Sequence, residues 1–81
     1  MSSELLMAKG KLADLERQMQ DNEMRAEAML IQIRELLNPY SEFLDLDLSK
    51  VLLLVKDFRE MQLRAREAQN TIDKIKSSFN L

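Results

Sequence analysis

The sequence predicts an all-α protein: an antiparallel helical hairpin of two heptad helices, each about 30 residues long, pairing with a second copy into a dimeric four-helix bundle or coiled coil. Three observations predict it. Apolar residues recur every seven positions in two long blocks, 5–36 and 51–79. The 81 residues contain one Gly and one Pro, too few for a fold with many turns. The Pro falls between the blocks, in the stretch LLNPYSEFLDLDLSK. A chain of 81 residues forms at most one small domain with little core. The whole of 1–81 is therefore read as one hairpin: helix 1 over about 3–37, a connector over 38–47, and helix 2 over about 48–79.

Helix 1 follows from period. Leu5, Leu12, Met19, Ala26 and Ile33 occupy a positions, and Ala8, Leu15, Asn22, Met29 and Leu36 occupy d positions. Asn22 is the polar exception. It reads either as a register or oligomer-state device or as a residue tolerated in a solvated middle. Gly10 falls at the outermost position, f, where its helix cost of about 1 kcal/mol is tolerable. Ser3 is the expected N-cap, with Glu4 in the first turn.

The connector begins where Pro39 biases Asn38 away from helix. Leu44, Leu46 and Leu48 alternate with Asp45 and Asp47, but a single short strand has nothing to pair with. An extended connector is expected instead, with Asp47 or Asp45 capping helix 2 and the apolar residues folding back over the tip.

Helix 2 repeats the heptad with Val51, Phe58, Ala65, Ile72 and Phe79 at a, and Leu54, Met61, Ala68 and Ile75 at d. Equal helices joined by a short connector favour a closed hairpin over a broken rod that pairs only between chains. Facing a layers with d layers, a register in which paired numbers sum to 87 sets Leu36 against Val51, Ala26 against Met61 and Asn22 against Ala65. It alternates small with large residues. The register summing to 80 would set Asn22 against Phe58. At the flanks, Lys9 is expected to approach Lys76, and Arg25 to approach Arg64.

The tip is apolar beyond one seam. Leu30, Leu37, Leu48 and Val55 extend it at e, Leu52 and Leu53 stand at b and c, and Tyr40, Phe43, Leu44 and Leu46 lie in the connector. Two helices cannot bury so much, and a patch of this size marks association. These ten residues are the candidate interface for a second copy, with a different protein partner at the tip as the other option. Met7 and Met24, off the seam, are further candidates for partner contact.

Chemistry is expected to be absent. With no His and no Cys, the usual bases, nucleophiles and transition-metal ligands are missing, and no cofactor or metal is expected. The carboxylates Asp14, Glu16, Asp21 and Glu23 lie on outer heptad faces, where they serve solubility and i,i+4 pairing, as in Asp21 with Arg25. Asp45, Asp47 and Ser49 open like a calcium loop, but Lys50 stands where Gly is needed and Lys56 where Glu is. Helix 2 is basic, with seven Lys and Arg against four Asp and Glu from Lys50 onward. Arg59 and Arg66 alternate with Glu60 and Glu67, however, as on an ordinary solvated face, which argues against nucleic acid. No apolar run approaches a membrane span, and the start MSSE has no signal-peptide pattern, so a cytoplasmic protein is expected.

The expected function is a non-catalytic helical interaction protein: a self-associating adaptor, scaffold or small chaperone-like partner acting by helix packing. The alternatives are a DNA-associated regulator using the basic face of helix 2, or a subunit of a larger helical assembly. In length, in Asn38-Pro39 at the turn and in its Phe79-containing end, the chain loosely resembles type III secretion needle subunits. That resemblance implies a polymerising hairpin; the strict heptads depart from it.

Overall fold

A computed structural model describes residues 3–81. Helix α1 spans Ser3–Leu36 and helix α2 spans Leu48–Phe79, with one turn of 3-10 helix at Phe43–Asp45 between them. The two long helices pack on each other as a hairpin. The molecule measures 64 × 15 × 15 Å, with a radius of gyration of 18.3 Å. A spherical chain of this length would have about 12 Å, so the molecule is a rod with one seam.

The heptads locate that seam. All nineteen predicted a and d residues are buried or half-buried, Asn22 included. Elsewhere in the two helices, Thr71 alone among the described residues is shielded. It stands beside the seam at g, and its Oγ1 donates to the Glu67 carbonyl at 3.1 Å. Burial is deepest at Ile72 (3% exposed) and Val51 (8%), the only two described residues that are buried rather than half-buried.

The ends obey local chemistry. Leu37 N still donates to the Ile33 carbonyl at 3.0 Å, after which Pro39 forbids another turn. Asn38 then opens a β-turn: Ser41 N donates to its carbonyl at 3.1 Å, and Tyr40 N to its side-chain Oδ1 at 2.9 Å. Asp47 is the N-cap of α2, its Oδ1 accepting from Lys50 N at 3.0 Å. Asp45 instead closes the 3-10 turn, its N–H donating to the Glu42 carbonyl at 2.9 Å. At the far end Asn80 takes a left-handed conformation (φ 54°), and both Asn80 N and Leu81 N donate to the Lys76 carbonyl. Asn tolerates that geometry better than most side chains, and the closure satisfies a helix-end carbonyl.

Three expectations need correction. Ser3 is already helical, so it is not the N-cap, and the capping position falls outside the described residues. The connector is a β-turn followed by a 3-10 turn, not an extended segment throughout. Its apolar residues also do not fold back: Tyr40 is 95% exposed, Leu44 82% and Phe43 77%, and only Leu46 is half-buried. Local hydrogen bonds at Asn38, Glu42 and Phe43 set the connector's path, and that path carries the rings outward.

Register follows from one ion pair and one groove. Lys76 Nζ lies 3.8 Å from a Glu16 carboxylate oxygen. In the register summing to 87 the two residues are offset by about 7.5 Å along the axis, a gap their side chains span; in the register summing to 80 the offset would be about 18 Å. A groove between the helices is lined from Gln18 to Met29 on one side and from Asp57 to Ala68 on the other. Those stretches face each other when paired numbers sum to 87. Lys76, on the same flank as Lys9, reaches across the seam to Glu16.

Candidate interaction surface

The seam divides the rod into two unlike flanks. In a heptad, e residues lie about 70° from the seam on one side, with b beyond them; g and then c lie on the other. In an antiparallel pair the e residues of both helices share one flank. Here that flank carries Leu37, Leu30, Leu48 and Val55 at the tip, joined by Leu52 at b. Their exposures run from 42% at Leu30 to 70% at Leu52. Farther down the same flank come Glu23, Gln62, Gln69 and the Glu16–Lys76 pair. The flank is thus apolar at the tip and polar toward the base, with exposed Leu6 at b the exception.

The g positions are polar along the whole rod, with Lys50, Asp57 and Arg64 from α2 and Gln18, Arg25 and Gln32 from α1. Leu53 stands at c on this side and is 65% exposed. It therefore faces away from Leu52, and the ten tip residues do not form one surface. The structure gathers Leu30, Leu37, Leu48, Leu52 and Val55 on one flank. Tyr40, Phe43 and Leu44 project from the connector, Leu46 is partly covered, and Leu53 is isolated.

Midway along the rod the seam residues are small. Ala26, Ala65 and Ala68 leave space that Met19 and Met61 do not fill. On the e flank this opens a cavity of about 150 Å³ lined by Met19, Asn22, Glu23, Ala26, Phe58, Met61, Gln62 and Ala65. On the g flank it opens a groove of about 540 Å³, lined in part by Asp21, Arg25, Asp57, Glu60 and Arg64. Asp21 and Arg25, expected to pair along α1, both line this groove, and among the described residues only Glu16 and Lys76 form an ion pair. Asn22 borders both spaces. Among the described residues no buried side-chain nitrogen or oxygen lacks a hydrogen-bond partner, those of Asn22 included.

Some exposed apolar residues have no counterpart in the sequence reading. Ile31 is 57% exposed, Leu63 46% and Leu6 61%. Ile31 and Leu63 stand at f and Leu6 at b, positions where the heptad predicts polar residues, and that mismatch was the available signal. Met7 and Met24, picked out as partner contacts, are 74% and 70% exposed. Among the described residues no helix is long and apolar enough to cross a membrane. No family model matches the chain, and neither a curated protein nor a solved structure is similar to it.

Proposed function

We propose that the protein is a non-catalytic helical interaction protein that works by packing helices, first of all against a second copy of itself, as a self-associating adaptor, scaffold or small chaperone-like partner. The observation that supports this is surface area. The chain exposes 6771 Å² at a mass of 9.5 kDa. A folded monomer of that mass exposes about 5,000 Å², so this one carries about 1,700 Å² of excess. A standard interface covers about 800 Å² per partner, so a dimer is well within reach of that surplus. The excess includes five large apolar side chains on one flank, each worth ~1.5–3 kcal/mol when fully buried.

The test is sedimentation equilibrium. Wild type is expected to run as a dimer. Changing Leu37 and Leu52 together to Lys is expected to give a monomer, whereas changing Glu67 and Lys74 to Ala, on the opposite shoulder, leaves the dimer unchanged. A wild-type chain that stays monomeric at high concentration removes self-association and leaves the tip as a docking site for a different protein.

A further inference from the structure

We infer that the second copy docks on the e flank with the two hairpins antiparallel and only their tips overlapping; this deepens the dimer reading above and rests on it. The choice of flank follows from its composition. At the tip, the e flank presents Leu30, Leu37, Leu48, Leu52 and Val55, with Arg34 at its margin as the charged exception. The g flank presents Lys50, Asp57, Arg25 and Arg64 over the seam, with Asp21 and Glu60 in the same groove, and a copy docked there would have to desolvate all of these charges.

Orientation follows from what lies above and below the apolar band. Counting α2 residues by the α1 residue they face, the band runs from the level of Leu30 to that of Leu48. Above it is the connector, with Glu42, Asp45 and Asp47 and the exposed Tyr40, Phe43 and Leu44. Below it, on the same flank, are the apolar cavity of about 150 Å³ and a ring of four charges, Arg59 and Arg66 with Glu23 and Glu27. A twofold axis along the rod would set each level against itself. The three connector carboxylates of one copy would then stand against the three of the other, and the exposed rings would have only each other. A twofold axis perpendicular to the rod, passing through the middle of the band, keeps leucine against leucine. It also carries each connector over the partner's cavity and balanced charges. Like-charge crowding is removed, and Phe43 and Leu44 gain an apolar floor. The self-facing patch makes the contact isologous and closed, so it ends at two copies.

The two arrangements differ in length. Two 64 Å rods overlapping only at their tips make a particle of roughly 100 Å, whereas side by side they stay near the length of one rod. The chain has no Cys, so one introduced thiol reports position cleanly. Asn70, exposed on the outer face of α2 toward the base, is the site. With Asn70→Cys spin-labelled, the label-to-label distance in the dimer is expected to be roughly 50 Å or more, from 1.5 Å per residue on both sides of the axis. A distance below roughly 30 Å overturns the antiparallel overlap while leaving the dimer standing. The flank is tested separately: Leu52→Lys is expected to weaken dimerisation at least about tenfold, and Leu53→Lys, one residue on but across the helix, less than about threefold. Equal effects overturn the choice of flank. Absence of any dipolar coupling, together with a monomeric mass, overturns the dimer reading itself.

Discussion

Single residues decide where each helix stops. Asn38 and Pro39 end α1 by covalent restriction and replace its last hydrogen bonds with a turn, and Asp47 restarts the chain by accepting from Lys50 N at 3.0 Å. Gly10 has no such role. It lies inside α1 at f, its φ is not positive, and a Cβ added there meets nothing within 4 Å. The glycine therefore costs helix stability with no packing in return, about 0.5–1 kcal/mol relative to Ala. Gly10→Ala is expected to raise stability by that amount in chemical denaturation, with the denaturant slope unchanged. A loss of stability would mean that the outer face of α1 at this level is covered by another chain.

At the scale of the helices, the sequence was legible wherever one period governed the outcome. Nineteen seam positions were readable because an antiparallel pair has one buried stripe, and a seven-residue repeat locates that stripe without knowledge of the partner. Register was legible too, through the alternation of small and large residues such as Ala26 with Met61. The connector was not, because its path depends on competing local hydrogen bonds, and those send Tyr40 and Phe43 into solvent where hydrophobicity alone would tuck them in. The division of the tip was legible in the heptad: Leu52 at b and Leu53 at c are adjacent in sequence, and a 100° step puts them on opposite shoulders. The cavities at the waist were hidden because the period reports which residues face inward and not whether they fill the space. Cysteines introduced together at Ala26 and Met61 are expected to form a disulfide within one chain, seen as a monomer of increased mobility on a non-reducing gel. Efficient closure of Ala26 with Leu54 instead would favour the register summing to 80 over the one seen here.

The whole molecule is a rod whose single seam leaves it short of interior. With only Val51 and Ile72 buried among the described residues, and neither of them completely, the monomer has little to set against the entropy of ordering its chain. If the dimer supplies the missing burial, folding and association are one equilibrium, and stability must rise with concentration. The size of the effect follows from general values. Each tenfold increase in concentration adds about 1.4 kcal/mol per dimer. Unfolding two chains of 81 residues carries an entropy of about 340 cal/mol/K, at about 2.1 cal/mol/K per residue. The midpoint should therefore climb by about 4 °C per decade of concentration, and by about 8 °C between 1 and 100 μM. Circular dichroism melts across that range measure it directly. In Leu37→Lys with Leu52→Lys the midpoint should fall and lose its concentration dependence, because both side chains are more than 40% exposed in one hairpin and their removal costs the monomer little. A wild-type midpoint that is flat across the two decades would show that the seam alone holds the fold.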